Sequence, residues 1–322
     1  MGVRRMQDIL GHIMEDADYG VAMLDKMTVS EGIFVMSRLL PECLQTANDN
    51  RKDNDVRFFA TASRIWRPHV IDKIKKAEHL WMAYSDLTGY PYYVEGKLVV
   101  LYDYTKSKQL EGRLNKAGYN IALGVLDPEI FKAEVQHMYR NGYKKVLFTD
   151  GGDVFFEVER EEIYGYEEFF DDDYVMNPGL QSVMVDFFQE ARKIAPMDDK
   201  RMTLIKNRED KLLDVIVNSE FMVPCIKEEN EEQIEISHPY IDMTESIGEK
   251  EGDKEKIIAI PVFTDGFEME KCYAGHKENM LYKYGELVKL VDELDASGIV
   301  INYGGIAYYA SKKTLKHIAK QS

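Results

Sequence analysis

The sequence predicts an α/β protein with two tandem domains of one kind behind a helical N-terminal extension. Residues 257–264 are apolar and rich in β-branched side chains, which is typical of a buried strand. Residues 284–294 instead place leucine and valine at helical spacing, which predicts an amphipathic helix. Because strand and helix patterns alternate and then recur along the chain, we expect each domain to be a mixed sheet packed with helices.

Three pairs of segments indicate that part of the chain is duplicated. The first half contains EHLWMAYSD, KLVVLYDYT and VLFTDGG, and the second half contains NSEFMVPCIK, KIIAIPVFT and IVINYGG. This alignment places Thr105 on Thr264 and the glycines at 151–152 on those at 304–305. The order and separations agree, so we predict a repeated unit of about 110 residues. The predicted boundaries are 1–55 for the extension, 56–170 for the first domain and 171–322 for the second.

The first half begins with helical patterns. Apolar spacing predicts helices at 3–14 and 33–46, where Pro41 could kink the second helix. The polar residues 48–55 predict a surface loop. A helical stretch then precedes the first strand, and Asp127-Pro128 predicts the start of a later helix, because proline is favoured at the first helical position.

The last strand-and-helix pattern contains several start and stop signals. Asp265 follows the strand at 257–264 and is predicted to cap a helix. Gly298 is predicted to end the helix at 284–294. Gly304-Gly305 predict a two-residue turn with positive φ between two strands, and Ser311 is predicted to cap the final helix.

These motifs resemble the SseB-type N-terminal domain family, a group of small bacterial α/β domains. Its pattern is an apolar strand ending in P-x-F-T-[SD], then helices, then a strand and turn ending in N-P/Y-G-G. The matching positions are Pro261, Phe263, Thr264, Asp265, Asn302, Gly304 and Gly305. The family's usual proline after the asparagine is Tyr303 here. The resemblance covers residues 204–318 and implies the fold, but it implies no biochemical activity, because none is established for the family.

Charge and cysteine content restrict the setting and the partners. The chain has 41 basic and 57 acidic residues, and its formal net charge of −16 would repel nucleic acid and anionic membranes. Three cysteines and no visible disulfide framework suit a reducing cytoplasm. The sequence contains neither a secretory signal nor a membrane-spanning apolar run. We therefore expect a cytoplasmic protein whose partner is protein, with no nucleic acid and no membrane.

The most acidic segment is 228–255, which contains 11 acidic residues and two lysines. It could be a docking surface for a basic partner, a loose divalent-cation site, or a solvated extension of the fold. Burying so much unpaired charge would be costly, so we expect the segment to lie outside the core. The predicted form is a two-stranded extension with its tip near Gly248–Gly252.

Four residues have side chains of the types that bind zinc: Cys225, His238, Cys272 and His276. The last two lie four residues apart, but no CxxC or HxxxH pair is present. We therefore expect a buried thiol and surface imidazoles rather than a site, and we predict no metal and no cofactor.

No motif indicates phosphate binding or nucleophilic catalysis. The glycine turns at 150–153 and 303–305 precede aromatic strand residues, which favours hairpin turns over a phosphate-binding loop. There is no GxSxG elbow, so no catalytic residue is predicted. Thr105 and Thr264 fit helix caps at strand ends. An aromatic set is equally compatible with an interface and with core: Trp81, Tyr84, Tyr90, Tyr92, Tyr93, Tyr102 and Tyr104.

The absence of a catalytic motif favours a non-catalytic cytoplasmic binding or adaptor protein. One alternative is an enzyme whose site forms at the cleft between the domains, which converging polar residues with perturbed ionisation would indicate. The other is a secretion- or toxin-associated accessory protein, which neighbouring genes would decide. The sequence does not indicate the ligand or the oligomeric state.

Overall fold

The computed structural model describes residues 2–152, 154–171, 174–229, 234–247, 256–275 and 278–319. The chain divides into two compact units, and each has mixed sheets packed against helices, which confirms the predicted α/β class. Unit 1 comprises Met1–Asp86, Pro91–Tyr139 and Tyr143–Phe170. Unit 2 comprises Leu87–Tyr90, Arg140–Gly142 and Asp171–Ser322, so two short segments of the first half belong to it.

Helices make up the first part of unit 1. The helices that begin in this unit are α1 (Val3–Glu15), α2 (Val29–Phe34), α3 (Leu40–Asp49), α4 (Asp53–Lys75), α5 (Tyr104–Lys116), α6 (Pro128–Arg140) and α7 (Arg160–Ile163), with 3-10 turns at Val21–Lys26 and Tyr166–Glu168 and a π turn at Val35–Leu39. The π turn ends one residue before Leu40-Pro41, and the ring of Pro41 disturbs regular α-helical hydrogen bonding. The predicted loop at 48–55 is wrong, because only residues 50–52 separate α3 from α4. Asp53 and Asp55 instead lie in the first turn of α4, where acidic side chains are favoured.

The sheet of unit 1 has a parallel pair of strands at its centre. Its strands are β1 (Leu80–Ser85), β2 (Tyr90–Pro91), β3 (Tyr93–Val94), β4 (Lys97–Leu101), β5 (Ile121–Leu126), β6 (Lys145–Thr149) and β7 (Phe155–Glu159). The long strands lie in the order β5–β1–β4–β6–β7, with β4 and β6 parallel and the other neighbours antiparallel. Trp66, Phe131 and Phe148 are among the fully buried side chains around this sheet.

Side chains of α5 cover part of the edge of β5. The Asn115 amide donates to the Ile121 carbonyl at 2.9 Å, and its oxygen accepts from the Ile121 amide. The Leu123 amide donates to the Glu111 carboxylate at 3.3 Å. These bonds occupy backbone groups that a neighbouring strand would otherwise use, so they hinder the pairing of another chain with β5. The strand sequence, IALGVL, contains no charged residue that would prevent such pairing.

Unit 2 repeats this combination of helices and strands. Its helices are α8 (Pro178–Ala191), α9 (Asp199–Val217), α10 (Thr244–Ile247), α11 (Gly266–Glu270), α12 (Tyr284–Glu293) and α13 (Lys312–Ile318). Its strands are β8 (Glu220–Pro224), β9 (Ile226–Glu229), β10 (Ile234–Ser237), β11 (Ile241–Asp242), β12 (Ile258–Val262), β13 (Asn279–Lys283), β14 (Gly298–Ile301) and β15 (Tyr308–Ser311). Gly298 opens β14 instead of ending a helix, and Asp295 takes the left-handed conformation after α12. Within the described part of the chain, every helix is too short or too polar to cross a membrane.

The two units have the same strand order. In unit 2, β11, β12, β14 and β15 form one sheet, and β13 pairs with β8. Met222 of β8 and Phe263 after β12 exchange backbone hydrogen bonds of 3.0 and 2.8 Å. The order β13–β8–β12–β14–β15 therefore matches that of unit 1, and β12 and β14 are again parallel. This shared order supports the predicted duplication.

The strand register corrects the alignment of the two copies. Val262 lies opposite Ile301, and Val100 lies opposite Phe148. Ile301 and Phe148 each lie three residues before the first glycine of their turn. Val262 of unit 2 therefore corresponds to Val100 of unit 1. Asp265 then matches Asp103, and the predicted match of Thr105 with Thr264 is wrong by three residues. Runs of similar apolar residues cannot fix a register, whereas pairing with the next strand does.

The glycine turns are longer than predicted. Residues 302–307 connect β14 to β15, and the residue with positive φ is Asn302, at 52°. Gly304 and Gly305 do not have positive φ, so the predicted two-residue turn is wrong. Asparagine tolerates the left-handed region, which leaves the glycines available for another purpose. In unit 1 the equivalent turn has positive φ at Gly151, and Asp153 lies outside the described residues.

The predicted two-stranded extension lies earlier in the chain than expected. Strands β9 and β10 pair as an antiparallel hairpin, and their turn at 230–233 lies outside the described residues. The predicted tip at 248–252 also lies outside them. In unit 1 only Glu95 and Gly96 link β3 to β4, whereas residues 243–257 link the corresponding β11 and β12. Unit 2 therefore carries its extra length in a hairpin before β11 and a long link after it.

Candidate functional site

A buried polar network lies in unit 2 where the parallel strands β12 and β14 end. Thr264 and Asp265 lie two and three residues after the end of β12, and Asn302 directly follows β14. Ligand sites of α/β sheets often form at such carboxyl ends, because loops diverge there and leave a crevice. In this unit, however, the three side chains are at most 1% exposed.

An ion pair forms the centre of this network. The Nη2 atom of Arg140 lies 3.0 Å from Oδ1 and 3.3 Å from Oδ2 of Asp265. The exposed fractions of the two side chains are 4% and 0%. The ring of Phe267 covers the guanidinium, with Cζ 3.8 Å from the ring centroid. Asp265 also caps α11 as predicted, since its Oδ1 accepts from the Glu268 amide at 3.0 Å.

Glu268 extends the ion pair into a group of four charges. Its Oε1 accepts from Tyr90 Oη at 2.8 Å and from Lys271 Nζ at 2.7 Å, and Arg140 Nη2 lies 3.5 Å away. Its Oε2 is buried and has no hydrogen-bond partner. The two acids and two bases cancel, so the network holds no net charge that a ligand would have to neutralise.

Neutral polar groups complete the network. Asn302 accepts from the Thr264 amide at 3.0 Å and donates to Gln181 Oε1 at 2.8 Å. Gln181 in turn donates to Tyr90 Oη at 2.8 Å. Burial raises the pKa of the Tyr90 phenol, and the neighbouring Glu268 carboxylate raises it further. Tyr90 therefore remains a neutral donor to Glu268 instead of acting as a base.

The glycines of the turn are required by close packing around this network. A Cβ atom on Gly305 would lie 2.8 Å from Glu268 Oε2 and 3.3 Å from Tyr90 Oη. A Cβ atom on Gly304 would collide with Cys272 Sγ. The two predicted glycines thus belong to the site. The reason is that no side chain would fit there, and not that their φ angles require glycine.

The two remaining motif residues support the strand. Phe263 is fully buried and packs with Met222 and Met269. Pro261 lies in β12, opposite Val300. The Phe263 amide donates to Met222 of β8. Amides two residues apart on a strand point to the same side, so the nitrogen of Pro261 also faces that side. Pro261 lies between Ala259, which pairs with β11, and Phe263, which pairs with β8. A proline is tolerated there, since that position needs no donor.

The predicted zinc-type residues do not form a metal site in the described part of the chain, where no group of three potential ligands was found. Cys225 is fully buried, and burial raises the pKa of its thiol. Burial likewise raises the pKa of Cys272. The two ring nitrogens of His238 lie 2.9 Å from the Pro224 carbonyl and the Tyr282 hydroxyl. His276 lies outside the described residues.

The aromatic set is mostly packed inside the fold. Tyr90 and Tyr93 are buried, and Tyr93 stacks on Tyr143 with ring centroids 3.5 Å apart. Tyr104 is 54% exposed, and the other members are partly buried. Among these seven residues, only Tyr104 presents a large exposed ring to a partner. Thr105 is also exposed and lies in the first turn of α5, and the residue that caps this helix is Asp103.

Sequence reasoning missed Arg140, Gln181 and the role of Tyr90 in this network. Arg140 is the last residue of α6 and lies 125 residues before its partner Asp265. No local pattern connects residues so far apart. The one available signal is the cap residue Asp265, whose carboxylate needs a counter-charge once it is buried.

No protein-family model, curated protein or solved structure matches this chain. Function is therefore inferred from the geometry of its own residues.

Proposed function

We propose that the chain is a non-catalytic binding or adaptor protein made of two SseB-type domains. The motif residues around the buried network and the shared strand order of the two units support the family part of this proposal. The cytoplasm is the proposed setting, which three free cysteines suit. The proposed partner is a protein with a basic segment.

The observation that carries the binding proposal is the exposure of the β9–β10 hairpin on both faces. Its described side chains are all exposed: Ile226, Lys227, Glu228, Glu235, Ile236 and Ser237. A hairpin that packs neither face on a core gains little stability of its own. An additional element of this kind is better explained by contact with a partner than by support of the fold.

The charges of the hairpin favour a basic partner. Glu228 lies directly opposite Glu235, and like charges at facing positions destabilise a strand pair. A cationic side chain placed between them would remove that repulsion. Ile226 and Ile236 are 49% and 42% exposed, so the same element offers apolar contacts beside the carboxylates. Such a mixture suits a segment that alternates basic and apolar residues.

The buried network supports a non-catalytic role. Arg140, Asp265 and Glu268 bind one another, and Tyr90 is held as a neutral donor. Each of these charged side chains is bound to another member of the network and is buried, which favours a structural role over contact with a substrate.

The test is the binding of a fluorescein-labelled peptide of alternating lysine and leucine, followed by fluorescence anisotropy. We expect binding that weakens as salt is raised and that is lost in the double variant Glu228→Gln/Glu235→Gln. The matched control is Glu270→Gln/Glu293→Gln, which removes the same charge from exposed positions of unit 2 outside the hairpin. Equal binding by the two double variants, or no binding by the unmodified protein, would refute the docking role.

A further inference from the structure

Unit 1 has a cavity at the place where unit 2 has its buried network. The cavity measures about 380 Å³ and lies at the carboxyl ends of the parallel strands β4 and β6. Tyr102 and Asp103 line it after β4, Asp150 lines it after β6, and Lys106 lines it from the first turn of α5. Helices α1 and α2 supply the opposite wall, which includes Arg5 and Glu31. Volumes of this size are typical of small-ligand sites.

The two units use the same aspartate at this place. Asp103 and Asp265 correspond in the strand register and both cap the following helix. Asp103 Oδ1 accepts from the Lys106 amide at 2.9 Å, as Asp265 Oδ1 accepts from the Glu268 amide at 3.0 Å. In unit 2 the capping carboxylate also binds a guanidinium, that of Arg140. An aspartate that caps a helix in this way can therefore still accept hydrogen bonds from a guanidinium group.

The charges that line the cavity leave one carboxylate without a cation. Lys106 pairs with Asp150, and Arg5 Nε lies 2.8 Å from Glu31 Oε1. Among the ion pairs found between described residues, none includes Asp103. Three carboxylates against two cations leave the lining at −1.

The network of unit 2 would carry the same charge without its guanidinium. Asp265 and Glu268 would then face Lys271 alone, which also leaves −1. Arg140 supplies the missing charge within the chain. Unit 1 has an equivalent carboxylate and an open volume, but no arginine pairs with that carboxylate among the described residues.

We propose that the unit 1 cavity binds a guanidinium group from outside the chain, with Asp103 as its carboxylate partner. The planar group matches a carboxylate edge through two parallel hydrogen bonds. Phe34 and Tyr102 also line the cavity, and a guanidinium stacks favourably on aromatic rings, as Arg140 does on Phe267. This site is independent of the β9–β10 hairpin and of the basic partner proposed for it.

The experiment compares two probes of the same shape on the full chain by isothermal titration calorimetry. L-Argininamide carries the guanidinium, and L-citrullinamide carries an uncharged urea in its place. We expect argininamide to bind and citrullinamide to bind about tenfold more weakly or not at all, because the charge-assisted bonds are lost. Equal binding of the two probes, or no binding of argininamide, would overturn the proposal.

A variant locates the site. Asp103→Asn should weaken argininamide binding about tenfold or more, while asparagine still caps α5 well. The control is Asp127→Asn, the same change at the cap of α6, where Asp127 accepts from the Ile130 amide at 2.8 Å. Unchanged binding in Asp103→Asn would refute the site, and the comparison of the two probes stands even if this variant fails to fold.

A third probe distinguishes the source of the guanidinium. The peptide acetyl-Gly-Arg-Gly-amide presents arginine as it occurs within a protein, whereas argininamide represents a free small molecule. Tighter binding of the peptide would assign the cavity to an arginine side chain of a partner. Tighter binding of argininamide would assign it to a small molecule.

Discussion

Removal of the Arg140 guanidinium should destabilise unit 2 strongly. The change Arg140→Met keeps the length and bulk of the side chain but removes its charge. Asp265 and Glu268, which are 0% and 1% exposed, would then share Lys271 as their cation. Loss of one partner from a buried ion pair costs about 3–5 kcal/mol, because the other charge stays buried and unpaired. We expect a loss of that size in the free energy of unfolding.

Urea unfolding followed by far-UV circular dichroism measures this loss. Because two compact units can unfold in separate steps, amide hydrogen exchange of peptides from β12 and β14 should accompany it and report on unit 2 alone. The partner variant is Asp265→Asn, which retains a cap for α11. In the double variant the cost should fall short of the sum of the single costs by about 1–3 kcal/mol, since both charges are then absent. Additive costs, or an Arg140→Met protein within about 1 kcal/mol of the unmodified one, would refute the reasoning.

Three further predictions concern packing, pH and the sheet edge. Gly305→Ala should lower the free energy of unfolding by about 1–3 kcal/mol, because its Cβ would lie 2.8 Å from a buried oxygen, and a thermal melt measures this loss. The control is Gly179→Ala, whose Cβ would have nothing within 4 Å and which should cause no loss of stability. The hydrogen bond from Arg67 lowers the pKa of Glu162 below its usual 4.5, so this pair should stabilise the fold above that pH and lose its effect as pH falls through the lowered pKa. The urea midpoint of Glu162→Gln should therefore fall below that of the unmodified protein at neutral pH, and the difference should shrink as pH falls through the lowered pKa; a difference that does not change with pH would contradict the assignment. Asn115→Ala should expose the edge of β5 and promote self-association, measured by light scattering after size exclusion, and a persistent monodisperse profile identical to that of the unmodified protein would argue against the covering role.

Local chemistry in the sequence determined the helix caps and the positions of several strands and helices. Asp265 and Ser311 cap helices as predicted, because a side-chain oxygen beside free backbone amides needs no distant partner. The repeated strings predicted a duplication, and the two sheets share one strand order. Apolar strands and amphipathic helices depend on residue spacing, which can be seen in any short stretch.

Only the tertiary structure decided register, turn shape and the composition of the site. The three-residue error between Thr105 and Thr264 arose because similar apolar strings align at several offsets, and pairing with a neighbouring strand selects one. Gly304 and Gly305 were predicted to have positive φ and do not; what restricts them instead is the space around them, which is filled by side chains that the fold brings close.

The network itself shows why the sequence could not predict it. Asp265 is a helix cap by local chemistry, and its burial creates a need for a cation that any arginine of the chain could meet. The fold brings Arg140 to it from 125 residues away, at the end of a helix whose own pattern gives no sign of that role. A long-range ion pair depends on which chain segments meet in space, and residue spacing along the chain does not contain that information.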